Sequence, residues 1–179
     1  MKVGGRLLRG AAVTAVLAAM LSPELARYEA ERMLRAATDA FRFVELRRGE
    51  VTDREGALGR IGQVADAAAA KLVGDPRPWV LAGLARLRAS QPERARELFA
   101  RALSLGERAE IDLHLASAYG ALGDREKAMA TIRRAAWVSP ALIPMLPFSG
   151  EERHAIAHEI LRLEAELKAG KLKEPPPLP

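Results

Sequence analysis

The sequence predicts an all-helical protein built as a short array of antiparallel helical hairpins. Hydrophobic residues make up 49% of the chain and charged residues 28%, so the chain can bury a core. Only 4% of the residues are aromatic, and alanine is the most frequent type, which suits helices that pack closely through small side chains. Most of the 14 glycines and 11 prolines fall between segments of helical periodicity. The chain has no cysteine, which excludes disulfides, thiolate metal sites and a cysteine nucleophile.

Residues 1–22 have the pattern of a signal peptide or membrane anchor. Three basic residues, Lys2, Arg6 and Arg9, precede an uncharged stretch from residue 10 to residue 23. The apolar centre of this stretch is 11–21. The apolar run is shorter than the ~20 residues that span a bilayer comfortably. The cleavage signal is poor, which favours a retained tether that contacts a membrane through residues 10–22. A cleaved signal peptide stays open as the other possibility. The alternative is the first helix of a cytosolic bundle.

The charge pattern argues against nucleic acid as a partner. The net charge is +5, with a pI near 10.0, and three of these charges precede the first acidic residue, Glu24. In the rest of the chain, arginine alternates with glutamate at helical spacing, as at Glu31/Arg35. Such pairs are typical of solvated helix faces, whereas a nucleic-acid binder concentrates its basic residues on one face.

Residues 23–74 are predicted to form a helical hairpin. The first helix has an apolar stripe of Ala26, Ala30, Met33, Leu34, Ala37, Ala40, Phe41 and Val44. Thr52 and Glu55 have the spacing of a capping box at the start of a second helix. The stripe of that helix is Leu58, Ile61, Ala65, Ala68 and Leu72.

Residues 75–142 contain two units of 33 to 34 residues. Three pairs of core positions recur 33 residues apart: Ala95/Ala128, Phe99/Ile132 and Ala102/Ala135. The spacing predicts helices over 76–89, 92–105, 108–121 and 125–138, paired as two hairpins. The second helix of each pair has a predicted cap, which is Ser90 with Glu93 in the first pair and Asp124 in the second.

These units resemble the tetratricopeptide repeat (TPR) family. Small and bulky residues alternate on each helix pair as in that family: Trp79, Ala82, Gly83, Leu115, Ala116 and Tyr119. Residues 122–128 are similar to the turn and second-helix opening of the repeat. The units depart from the pattern at Arg86 and Asp112, where the family has Tyr and Trp.

The resemblance implies a groove lined by the first helix of each unit. By position, the groove residues would be Arg77, Val80, Leu84, Arg88, Glu110, Leu113, Ser117 and Gly120. Apolar residues stand where one branch of the family clamps a chain-terminal carboxylate. An apolar helix or an extended peptide of another protein therefore fits better. The alternative is that the N-terminal hairpin fills the groove and these residues are core.

Residues 143–170 are predicted to form a C-terminal capping helix, with a stripe of Ile156, Ile160, Leu163 and Leu167. Residues 171–179 read as a proline-rich tail. His154 and His158 lie four apart on the face opposite the stripe, and no third ligand of good spacing accompanies them. We therefore expect no metal, no cofactor and no catalytic constellation.

The function that these patterns favour is a non-catalytic TPR adaptor or scaffold in a membrane or cell-envelope assembly. Two alternatives stay open: an accessory structural subunit of a membrane complex, and a soluble cytosolic TPR co-chaperone. Because of residues 1–22, we expect the chain to be membrane-anchored or exported, in a bacterial periplasm or envelope. The excess of arginine over lysine is compatible with a GC-rich bacterial genome.

Overall fold

A computed structural model describes the backbone of residues 4–146 and 149–171, with side chains from Ser22 onward except that of Glu152. The described residues form helices and contain no strand, which confirms the predicted all-α class. The helices are α1 (Gly4–Leu46), α2 (Arg54–Lys71), α3 (Arg77–Arg88), α4 (Pro92–Leu105), α5 (Ala109–Ala121), α6 (Arg125–Val138), a 3-10 helix (Pro140–Met145) and α7 (Gly150–Lys168).

Consecutive helices pack as hairpins, and each hairpin packs against the next. The pairs α1/α2, α3/α4 and α5/α6 contact each other closely, while α2 packs on α3 and α4 packs on α5. The 3-10 helix and α7 both pack on α6 at the end of the array. The four helices predicted between residues 76 and 138 are therefore present, with ends that differ by one residue at most.

Helix α1 crosses the predicted boundary at residue 22 without a break. Pro23 lies inside it, although proline lacks the N–H that would bond the carbonyl four residues earlier. Lys71, at the end of α2, is 3.4 Å from Glu29, so the part of α1 before Glu29 projects about 37 Å beyond the hairpin. No helix of the described chain contains an 18-residue stretch apolar enough to cross a membrane.

Small side chains allow the helices to approach closely. The core that joins α1, α2 and α3 contains six alanines that are at most 4% exposed: Ala30, Ala37, Ala65, Ala68, Ala82 and Ala85. A second core surrounds Phe99, which is fully buried between α3, α4 and α5. A third core joins α6, the 3-10 helix and α7 around Ile143, Ile156 and Ile160.

Two positions of the predicted stripes are exposed instead of buried. Ala40 of α1 is exposed beside the outer edge of the α1/α2 hairpin. Leu167 in the last turn of α7 is 41% exposed, because α7 extends past its contacts with α6.

The predicted helix caps are partly correct. The Asp124 carboxylate accepts a hydrogen bond from the Lys127 amide, as expected for the N-cap of α6. The cap of α2 is Asp53, which accepts from the Gly56 amide, so the prediction of Thr52 was wrong by one residue. The prediction for Ser90 was also wrong. It adopts a left-handed conformation with φ of 58°, and Gln91 holds the N-cap position before Pro92.

Candidate peptide-binding groove

The first helices of the three hairpins line one groove on the same face of the array. The cavity measures about 640 Å³ and lies between α1, α3 and α5. Its lining comprises Glu31, Leu34, Arg35, Thr38, Asp39 and Arg42 of α1, then Pro76, Arg77, Val80, Leu81 and Leu84, then Arg108, Glu110, Ile111 and His114. This arrangement follows from the order of the helices, because every second helix of a hairpin array faces the same side.

The floor of the groove is aliphatic. Leu34, Leu81 and Ile111 are about 5% exposed, since they also belong to the cores beneath the groove. Val80 and Leu84 on the middle helix are only partly buried and present their side chains to the cavity. An apolar segment lying here would cover both side chains and remove their remaining surface from water.

Four of the eight predicted groove residues line the cavity: Arg77, Val80, Leu84 and Glu110. The other four lie outside its lining, namely Arg88, Leu113, Ser117 and Gly120. Leu113 packs against the core beneath α7. Ser117 is exposed and donates a hydrogen bond of 2.8 Å to the Leu113 carbonyl. The part of the lining that α5 and the residue before it contribute is therefore confined to residues 108–114.

The sequence prediction missed the contribution of α1. In the alternative above, the N-terminal hairpin fills the groove, whereas in the structure α1 forms one wall and leaves the cavity open. The exposed positions Arg35, Asp39 and Arg42 follow the i, i+4, i+7 spacing of one helix face. This spacing of charged residues next to the buried stripe is the sequence signal that could have indicated the contribution of α1 to the groove.

At one end of the groove, the charge of Arg77 is balanced by two acids. Arg77 Nη2 lies 2.6 Å from Glu31 Oε1, which ties α3 to α1, and also pairs with Asp75. Burial acts to raise the pKa of Asp75, but the hydrogen bonds from the Arg77 side chain and backbone outweigh it and hold that pKa below its usual value. Both charges of Arg77 and Asp75 are therefore already satisfied without a ligand.

The opposite end carries a cluster of guanidinium groups around one carboxylate. Glu45 of α1 accepts hydrogen bonds from Arg54 of α2 at 2.9 Å and from its neighbour Arg48, and it forms an ion pair with Arg88 of α3 at 2.9 Å. Burial acts to raise the pKa of Glu45, but the hydrogen bonds from Arg54 and Arg48 and the charge of Arg88 bring it below its usual value. A single ionised carboxylate thus joins three helices.

Three arginines on the groove have no ion pair with any acid that the structure describes: Arg35, Arg42 and Arg108. Arg42 stands one helical turn before Glu45 and so adjoins the guanidinium cluster. Two acids without an ion pair also line the cavity, Asp39 and Glu110. Positive charge is therefore concentrated at the Arg42 end.

His114 lies in the wall opposite α1. Its ring stacks on Phe99, with 5.6 Å between ring centroids, so the groove lining is continuous with the central core. Burial lowers the pKa of His114, the charge of Arg88 lowers it further, and Glu110 partly opposes both. The imidazole is thus held in its neutral form and adds to the apolar surface of the cavity.

Across the part of the chain that the structure describes, no group of three His, Asp or Glu side chains is placed to hold a metal ion. His154 and His158 are exposed on α7, as predicted, and their rings meet edge to face at 4.9 Å between centroids.

A second, smaller groove lies on the outer edge of the first hairpin. Its lining is aliphatic or aromatic apart from one arginine: Ala36, Ala37, Ala40, Phe43, Val44, Val51, Ala57, Arg60, Ile61 and Val64. Phe43 is 56% exposed there. A hairpin array exposes an apolar edge wherever its first unit lacks a neighbour.

Comparison with known proteins adds no family to this description: no protein-family model, no curated protein and no solved structure matches the chain.

Proposed function

We propose that the protein is a non-catalytic adaptor of the tetratricopeptide repeat type, which binds a segment of another protein in the groove between α1, α3 and α5. The single observation that carries the proposal is the open cavity of about 640 Å³ with an aliphatic floor. A groove of this kind accommodates an apolar helix or an extended peptide.

The spacing of the hairpins supports the repeat type. Of the pairs that recur 33 residues apart, Ala102 and Ala135 are both fully buried, whereas Ala95 is fully buried and its counterpart Ala128 is partly buried. Gly83 lies directly against the Phe99 ring, as the alternation of small and bulky residues requires. The small residues at these positions support a repeated hairpin packing.

We further propose that the adaptor acts at a membrane or in a cell envelope. The basic residues ahead of an uncharged apolar stretch support this location. Helix α1 projects about 37 Å beyond the array, so a tether in its first part would hold the groove away from the membrane surface.

The groove is tested by panning a display library of random 16-residue peptides against the full chain. Binding of the selected peptides is then measured for Val80→Asp, which places a charge on the groove floor, and for Val138→Asp as the matched control. Val138 is 38% exposed at the end of α6 and does not line the cavity. We expect Val80→Asp to weaken binding about tenfold or more and Val138→Asp to leave it unchanged. Equal effects of the two substitutions, at retained helicity, would refute the groove.

A second candidate function, an accessory structural subunit of a membrane complex, is favoured by the outer groove around Phe43. An apolar edge of this kind suits a permanent neighbour. Pull-down of the full chain in mild detergent separates the two functions. A stable stoichiometric complex that Phe43→Glu disrupts and Val80→Asp does not would favour the subunit.

A further inference from the structure

We infer that the segment bound in the groove is apolar along the cavity and acidic where it leaves the groove at Arg42. The inference rests on the proposed function and specifies both the chemistry and the direction of the partner. It follows from the unequal charges at the two ends of the groove.

At the Arg42 end, three guanidinium groups contact one carboxylate, and Arg42 adds a fourth positive charge close by. Arg48, Arg54 and Arg88 all contact Glu45, and Arg42 stands one turn earlier on the same helix. The cluster has an excess of three positive charges, or two when Asp39, the next acid along α1, is included. The adjoining Arg47 is paired with Glu50 and contributes no net charge.

The cluster also has unused hydrogen-bonding capacity. Arg54 Nε is buried and has no partner among the described residues, and Arg42 makes no ion pair with them. Arg88 is 45% exposed and Arg48 is 58% exposed, so their guanidinium groups are open to a ligand. Guanidinium groups bind carboxylates in a two-pronged geometry, which makes acidic side chains their natural ligands in a protein partner.

The opposite end offers no such site. Arg77 is shared between Glu31 and Asp75, so its positive charge is balanced by these two acids. Arg108 stands near Asp75, whose pKa its charge helps to lower, and close in sequence to Glu110. Positive charge is balanced there, and a bound segment gains by directing its acids to the Arg42 end.

The middle of the groove determines which side chains of the bound segment adjoin its acidic residues. Val80, Leu84 and the neutral His114 present apolar surface between the two charged ends. A run of aliphatic or aromatic side chains fills this part, and acidic residues then follow on one side only.

The first test uses peptides from the random 16-residue library, selected against the full chain. We expect them to combine an apolar run with acidic residues on one side of it. Replacing the acids of the best peptide by amides should weaken binding about tenfold, and Arg42→Glu should weaken binding about fivefold to tenfold. Arg94→Glu, an equal charge change on the exposed face of α4, serves as the control and should change affinity less than about twofold.

The second test reads the direction. A photo-crosslinking residue placed beside the acids of the selected peptide should label residues 42–54, and one placed at the other end of the apolar run should not. Labelling near Arg77 and Arg108 instead, or selected peptides without acids, would overturn the inference.

The two proposals fail differently. Peptides that lose binding with Val80→Asp but are indifferent to Arg42→Glu would leave the groove standing and refute the acidic end. Peptides indifferent to both substitutions would refute the groove and the inference together. Thermal melting of each variant separates loss of binding from loss of fold.

Discussion

Gly83 on α3 lies directly against the Phe99 ring of α4. A Cβ atom built there would lie 2.6 Å from the Phe99 ring, and both neighbouring ring atoms would also be within 3.0 Å. Phe99 is fully buried, so its ring has no room to retreat. The hairpin therefore depends on the absence of a side chain at this one position.

We predict that Gly83→Ala destabilises the protein by about 1–3 kcal/mol, because overpacking outweighs the gain in helix propensity. Gly59→Ala in α2 is the matched control, since a Cβ there meets nothing within 4 Å. That substitution should stabilise by about 0.5–1 kcal/mol. Thermal or urea unfolding measures both, and a stabilised Gly83→Ala variant would contradict the close approach.

Asp112 is a fully buried carboxyl group in α5. Neither of its oxygens has a hydrogen-bond partner among the described residues. Burial and, to a smaller extent, the charge of Glu107 raise the pKa of Asp112 to about 7, although the charge of Arg134 partly opposes them. The folded protein therefore binds a proton at Asp112 at pH values where the unfolded chain has released it.

A raised pKa in the folded state means that stability is lost as the pH rises. For Asp112 the loss falls between its ordinary value of 3.8 and about 7. We predict that Asp112→Asn gains stability relative to the parent over this range, by about 2–4 kcal/mol between pH 4 and pH 8. Acids with lowered pKa, such as Glu45 and Asp75, are present in both proteins and cancel in the comparison. A difference in melting temperature that is constant with pH would contradict the prediction.

At the scale of elements, the α5/α6 hairpin is fixed by a cap, an ion pair and a line of small residues. Asp124 caps α6, and Arg134 Nη2 lies 2.6 Å from Glu107 Oε2 in the segment before α5. Ala128 and Ala135 allow the two helices to meet, with Ala135 fully buried and Ala128 partly buried against the central core.

Overpacking tests this hairpin. Ala128→Leu inserts a larger side chain between α6 and the core, and we expect it to cost about 1–3 kcal/mol of stability. Ala100→Leu on the exposed face of α4 is the control and should change stability by less than about 0.5 kcal/mol. Urea denaturation of both variants measures the difference, and equal midpoints would mean that position 128 does not face α5.

Helix α1 differs from the other helices because it serves two regions of the molecule. Its second half, from Ala30 to Val44, buries a stripe against α2 and α3 and forms one wall of the groove. Its first half extends past the end of α2. A rigid connection between the apolar N-terminal stretch and the groove follows from this continuity.

At the scale of the whole molecule, the location of the protein depends on the uncharged stretch from residue 10 to residue 21. We predict that Val16→Arg releases the chain from the membrane fraction, because an arginine at the centre of such a stretch costs about 2.5–3.5 kcal/mol on insertion scales. Leu46→Arg adds the same charge at the other end of α1, where Leu46 is 86% exposed, and should have no effect. Fractionation of cells measures both. If the parent itself stays wholly in the cytosolic fraction, the targeting hypothesis is wrong and the cytosolic co-chaperone becomes the better one.

The fold could be predicted from the sequence because local signals agree with one another. The apolar period and the turn residues set the four helices between residues 76 and 138 to within one residue, and Asp124 was identified as a cap from its position alone. Ser90 was misassigned because a left-handed residue before the cap carries no distinctive sequence signal.

The sequence by itself determined the helices, their pairing and four of the fifteen residues that line the groove, since each of these depends on periodicity within one segment. Only the tertiary structure decided that α1 forms a wall of the groove, that Leu113 packs against the core of α6, the 3-10 helix and α7, and that Arg54 and Arg88 meet at Glu45. Those contacts join residues up to 43 positions apart, and their geometry depends on how the hairpins stack. The spacing of residues along one helix does not predict that stacking. The charged end of the groove therefore forms only where three helices come together.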